Sequence, residues 1–164
     1  MQDRIEAGTF MIAAAATNGD VVIENAESKY NEPLIAKLQD MGVTVIDQDD
    51  GIRVLGTSVL LPSTVQTAPY PGFPTDLQLQ MTVLQLLANG TSTMNETVFE
   101  KRFMHLEELR RMNAEYQIKN STAVLSGPTK FSGAEVAATD LRAGAALVIA
   151  GLVAQGITQV RNLK

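Results

Sequence analysis

The chain repeats itself at an offset of 71 residues: Gly19 falls on Gly90, Leu38 on Leu109, Met41 on Met112 and Gly56 on Gly127, without a gap between the first and the last. A repeat of this length points to similar supersecondary units that share one core, which leaves few folds open. The expected elements follow the same order in both copies. An apolar helix comes first, Thr9–Thr17 and then Met81–Ala88, and each is stopped by Asn-Gly, at Asn18-Gly19 and Asn89-Gly90. A strand follows (VVIENA, then TSTMNETV), and after it an amphipathic helix with Leu34, Ile35, Leu38 and Met41, or Leu106, Leu109 and Met112, at helical spacing. Two strands around a polar turn close each unit, VTVID with GIRVLG and AEYQIKN with TAVLSG.

A third copy begins near Asp140. Its helix, Ala143–Ala154, ends at Gln155-Gly156, and one strand, ITQV, follows before Lys164. The expectation is a single α/β domain, incomplete over residues 1–164, with repeat one at about 1–61, repeat two at about 75–130 and a partial repeat three at about 138–164. The first helix of each unit is apolar nearly all round and rich in small residues, so it must be buried. Three such helices packed at a centre, with sheets outside, satisfy that requirement.

Aromatic residues make up only 5% of the chain and Trp is absent, so the core has to be filled by aliphatic side chains. The formal charge of −5 argues against a nucleic-acid surface, which needs clustered Lys and Arg to neutralise phosphates. With no Cys, disulfides, a cysteine nucleophile and zinc–thiolate sites are excluded from this chain, and a reducing cytoplasm is the expected compartment. No apolar run approaches the roughly 20 residues of a membrane helix, and Met1–Arg4 lacks the order of a signal peptide. No cofactor or metal is expected, and neither a membrane nor a nucleic acid as partner.

Three segments carry chemistry. Four of the six prolines, Pro62, Pro69, Pro71 and Pro74, lead to Thr75-Asp76 as a stiff, extended approach to the second unit's helix. Asp76 stands where helix N-caps stand, and capping is its plain structural role. The run FEKRFMH (Phe99–His105) reads as a solvated charged loop held down by two aromatics, with the lone His105 as a loop anchor. In ATDLRAG (Ala138–Gly144), capping or ion pairing accounts for Asp140 and Arg142.

Taken together and in this order, the segments resemble the UDP-N-acetylglucosamine enolpyruvyl transferases. DRIEAGTF (Asp3–Phe10), the proline-rich approach to PTD, VFE-x-RFMH and ATDLRA all match, and Lys101 departs from the Asn common in that family. The resemblance covers essentially the whole chain. It implies an inside-out α/β barrel of βαβαββ-like repeats, two complete and a third truncated, as one of two domains. The third unit of such a domain draws on both termini of the family's longer chain.

It also implies transfer of the enolpyruvyl group of phosphoenolpyruvate to the 3′-hydroxyl of UDP-N-acetylglucosamine, with release of phosphate. On that basis Asp76 binds the sugar hydroxyl and serves as base, the positioning role being the firmer because a helix N-terminus stabilises the carboxylate and weakens it as a base. Val98 contacts UDP-N-acetylglucosamine through its backbone. Arg102, Asp140 and Arg142 line the phosphoenolpyruvate side, where a guanidinium can grip carboxylate or phosphate with two hydrogen bonds. Arg4 and Glu6 match as well and are expected to be structural.

The family's proton donor lies on another domain, so this chain alone is expected to be inactive and to need that domain to hold either substrate. The rivals are the sister enolpyruvyl transferase of the shikimate pathway and, from another class, a non-catalytic repeat module such as a ring. FEKRFMH and PTD favour the amino-sugar branch, and the apolar helices with negative charge disfavour a ring around DNA. Open strand edges and apolar helix surface would permit a homodimer.

Overall fold

The computed structural model describes residues 3–163. Helix α1 (Arg4–Ala16) opens where Asp3 Oδ1 accepts the amides of Ile5 and Glu6 at 2.8 and 3.3 Å, well ahead of Thr9. Gly8 disguises this early start in the sequence. It sits inside the helix because a Cβ there would come within 2.7 Å of Leu77 Cδ1. Next come β1 (Asp20–Glu24), α2 (Glu32–Asp40), β2 (Thr44–Gln48) and β3 (Gly51–Leu55), with β3 central and antiparallel to both neighbours.

The proline-rich linker contributes β4 (Thr64–Gln66), a strand ahead of residue 75. It runs parallel to β5 (Thr91–Asn95), with α3 (Gln78–Leu87) between them. Helix α4 (His105–Arg111) and strands β6 (Glu115–Lys119) and β7 (Thr122–Ser126) complete a βαβαββ unit with sheet order β4-β5-β7-β6. The third unit opens the same way: β8 (Glu135–Ala137), α5 (Leu141–Val153) and β9 (Gln159–Arg161), with β8 and β9 parallel.

The repeat holds to the register of single residues. Leu55 faces Asp20 and Thr44 in the first sheet, and Ser126 faces Thr91 and Glu115 in the second, each displaced by the same 71 positions. Gly56 N–H donates to Gly19 O at 2.8 Å and Gly127 N–H to Gly90 O at 3.1 Å. Both glycines are required by close approach to the preceding helix end. A Cβ on Gly56 would lie 2.5 Å from Asn18 Cα, and one on Gly127 would strike the Ala88 carbonyl oxygen. The left-handed residue that ends each central helix differs: Asn18 (φ 51°) in the first unit, Gly90 (φ 141°) and Gly156 (φ 89°) in the others.

Helix α3 packs against both α1 and α5, which also touch each other, and the sheets lie outside. This is the inside-out arrangement. Small buried residues, Ala7, Gly8, Ala14 and Ala15 on α1 and Ala143, Gly144, Ala146 and Ala150 on α5, let the helices close up. Every residue from Gln78 to Leu86 is buried, and each glutamine donates through Nε2 while its Oε1 is buried without a hydrogen-bond partner among the described residues. Gln80 Nε2 donates to Thr9 Oγ1 at 3.1 Å, a bond between residues 71 apart that ties equivalent positions of two units together. Gln85 Nε2 donates to Thr93 O at 2.9 Å and so pins the helix to its sheet. Among the described residues no helix is long and apolar enough to cross a membrane.

Candidate active site

Pro74 enters extended, and residues Thr75–Leu77 form a single 3-10 turn before α3 begins at Gln78. The turn displaces Asp76 from the capping position, and neither helical segment has a side-chain cap here. The carboxylate faces two guanidinium groups instead. Arg102 Nη2 lies 3.4 Å from Oδ1 and Arg142 Nη2 lies 3.8 Å from Oδ2. Arg102 comes from the loop after β5 and Arg142 from the first turn of α5, so the cluster joins units two and three.

These contacts are long, and Asp76 keeps 43% of its side-chain surface exposed against 21% for Arg102 and 28% for Arg142. Each guanidinium therefore retains donors directed away from Asp76, and the trio carries one net positive charge. That suits an anion able to accept several hydrogen bonds. Arg102 is oriented further by the Thr75 hydroxyl, 3.4 Å from Nη1, and by the Phe99 ring, whose centroid is 4.9 Å from Cζ. Phe99 is exposed and does not hold the loop down; of the two aromatics only Phe103 is buried.

Asp140 caps α5 through Oδ1, which accepts the Ala143 amide at 2.9 Å. It stands two residues before Arg142 in the chain. His105 is wholly buried behind these groups, and Asp140 and Arg102 both act on it electrostatically. The Thr82 hydroxyl donates to Leu79 O at 2.6 Å, so its oxygen, 2.7 Å from His105 Nε2, must accept a proton from the ring. His105 is thus the neutral Nε2–H tautomer. Burial pushes its pKa down to about 3, partly offset by Asp140 and reinforced by Arg102, which makes it an anchor between α3 and α4.

Val98 is partly exposed, and its amide is committed to Glu96 Oε2 at 3.1 Å. Glu96 was not evident from sequence, yet it sits at the hub of this region. Only 3% exposed, it accepts from Thr67 Oγ1 (2.5 Å), Thr75 Oγ1 (2.6 Å), Gln78 Nε2 (3.4 Å) and the Val98 amide. Burial pushes its carboxyl up, but these donors outweigh burial and hold it below the usual range. A groove of about 880 Å³ runs beside this loop, lined by Val98, Phe99, Arg102, Met104 and Ile118 among others. Arg4 stacks over the Tyr70 ring at 5.0 Å, steadying the approach to Pro74. Among the described residues no cluster of three or more His, Cys, Asp or Glu is placed to hold a metal.

Asp76, Arg102 and Arg142 are thus in direct contact, Asp140 caps the helix whose first turn carries Arg142, and Val98 is tied to the cluster through Glu96 and Thr75. The whole chain, residues 1–164, matches the family described as EPSP synthase (3-phosphoshikimate 1-carboxyvinyltransferase). It is 60% identical over all 164 residues to UDP-N-acetylglucosamine 1-carboxyvinyltransferase 1 of Halalkalibacterium halodurans, of which it spans 37%. Among solved structures it is similar to the enolpyruvyl transferase NikO from Streptomyces tendae, with TM-score 0.87 and 26% identity over 99% of this chain and 39% of that one. EPSP synthase from Acinetobacter baumannii, with TM-score 0.74 and 19% identity over 96% of this chain and 40% of that one, is alike in fold. The chain therefore spans about two fifths of the length of these relatives.

Proposed function

The chain belongs to the EPSP synthase family, and from that membership we propose that the protein of which it forms part transfers enolpyruvyl from phosphoenolpyruvate to the 3′-hydroxyl of UDP-N-acetylglucosamine. The observation that carries this is the Asp76 carboxylate, half open to solvent and flanked by Arg102 and Arg142. In this reading Asp76 binds the 3′-hydroxyl and takes its proton as the oxygen bonds to C2 of phosphoenolpyruvate. The methylene C3 gains a proton from a donor outside these 164 residues, which gives a tetrahedral adduct. Loss of phosphate from C2 and of a proton from C3 then restores the vinyl group. Arg102 and Arg142 offset the charge on the carboxylate or phosphate of phosphoenolpyruvate. Asp140 helps to set Arg142 by capping its helix, and Val98 offers its carbonyl to the nucleotide sugar.

The relative at 60% identity supports the amino-sugar acceptor, whereas the family description alone would also fit the shikimate branch. Giving the longer protein phosphoenolpyruvate with either UDP-N-acetylglucosamine or shikimate 3-phosphate, and measuring phosphate release, separates the two. Turnover is expected only with UDP-N-acetylglucosamine, and turnover only with shikimate 3-phosphate would overturn the assignment. The reading places the reaction in the cytoplasm, at the entry to cell-wall precursor synthesis.

The 164-residue chain by itself presents exposed Leu141, Val148, Leu152 and Ile157, a surface that supports self-association in isolation. Light scattering is expected to find dimers or larger species, and a monomer at high concentration would contradict this.

A further inference from the structure

The second unit departs from the first at Glu96. Its counterpart one repeat earlier is Asn25, exposed and left-handed at φ 61°, whereas Glu96 is buried beneath the candidate site. Among the described residues no salt bridge reaches Glu96, and its charge is met by hydrogen bonds alone. Each oxygen faces one partner that can only donate: the Val98 amide at Oε2 and the Gln78 amide nitrogen at Oε1. The Gln78 nitrogen also donates to the Arg102 carbonyl at 3.1 Å. Both the backbone and the side chain of Arg102 are therefore referenced to this one carboxylate.

We propose that Glu96 is a positioning residue of the transferase site, which by accepting the Thr75 hydroxyl proton turns the Thr75 oxygen towards Arg102 and so fixes the guanidinium beside Asp76. The inference rests on the transfer reading above. A fixed hydroxyl proton leaves Thr75 Oγ1 only lone pairs to offer Arg102 Nη1, at 3.4 Å, while Nη2 of the same group meets Asp76. A Gln at position 96 would place an amide NH2 opposite one of the two obligate donors. On the Oε1 side the Thr75 hydroxyl would have to reverse, and its proton would then oppose the guanidinium. The arrangement supplies what a productive site needs, a ligand-facing group locked by buried hydrogen bonds behind it.

The test uses the longer protein with E96Q, T75V, T75S and the double variant E96Q/T75V, following phosphate release and thermal unfolding. E96Q and T75V are each expected to lower kcat/KM by about 10- to 100-fold, as loss of a supporting hydrogen bond typically does. The double variant should fall no more than about 3-fold below E96Q, because residues acting in series are not additive. T75S retains the hydroxyl and should regain most of the rate, whereas T75V still unfolds in one cooperative step but melts below the wild type, having lost a donor to the buried Glu96 carboxylate. Multiplicative losses in the double variant, or T75V at wild-type kcat/KM, would overturn the proposal while leaving the transfer reading intact. A wild type that releases no phosphate with either acceptor refutes the transfer reading and this proposal with it. Should E96Q fail to fold, T75V against T75S decides alone, since Thr75 is only partly buried.

Discussion

Lowering the pH from about 7 to about 5 should destabilise the folded chain by about 2 kcal/mol through His105 alone. In the unfolded chain an imidazole takes up its proton near its ordinary 6.5, whereas in the fold burial holds it neutral down to about 3. The unfolded state therefore binds more protons throughout that window, and stability falls with pH by up to about 1.4 kcal/mol per unit. The contribution is fully present above about pH 6.5 and is lost progressively towards pH 3. The structural cause is specific. Nε2–H is committed to Thr82, and Nδ1 is buried without a hydrogen-bond partner among the described residues, so a second ring proton would have nowhere to go. The assay is urea unfolding of wild type and His105→Gln at both pH values, the variant keeping an N–H in place of the titrating ring. Glu96, held below its usual range, also loses stability at low pH, but equally in both proteins, so the difference between them isolates His105. A difference below about 0.5 kcal/mol would refute the burial argument.

Further outcomes follow from the same geometry. Asp76→Asn in the longer protein keeps the side chain's shape and removes the charge that Arg102 and Arg142 face, so phosphate release should fall by at least about 100-fold. Gly127→Ala drives a methyl group into the Ala88 carbonyl and should cost about 1–3 kcal/mol in urea unfolding, with Gly56→Ala changing stability in the same direction. The 164-residue chain incubated with both substrates should release no phosphate, and micromolar binding of UDP-N-acetylglucosamine in calorimetry would contradict its holding only part of the site.

Much of the fold is legible in the sequence because central helices and sheet register recur at one offset, and helical spacing separates buried from amphipathic segments. Strands β4 and β8 were not legible. Three residues each cannot display alternation, and their parallel partners lie a helix away. At Asp76 the sequence suggests a cap, since the one 3-10 turn that displaces it leaves no signature. At Asp140 the same expectation holds, because an extended residue there leads straight into α5. Thr75, Gln78 and Glu96 were invisible as a group, being brought together from the linker, a helix and a strand end. The available signal was the loss of repeat similarity after Asn95: where the first copy continues into a short exposed turn, the second carries the charged loop.

In the proposed reaction Asp76 meets the acceptor hydroxyl between two arginines. A structure of the longer protein with UDP-N-acetylglucosamine bound tests it directly. A carboxylate oxygen of Asp76 is expected within about 2.6–3.2 Å of the sugar 3′-hydroxyl, with Arg102 and Arg142 still beside it. A sugar bound with that hydroxyl turned away from Asp76, or towards another base, would contradict it.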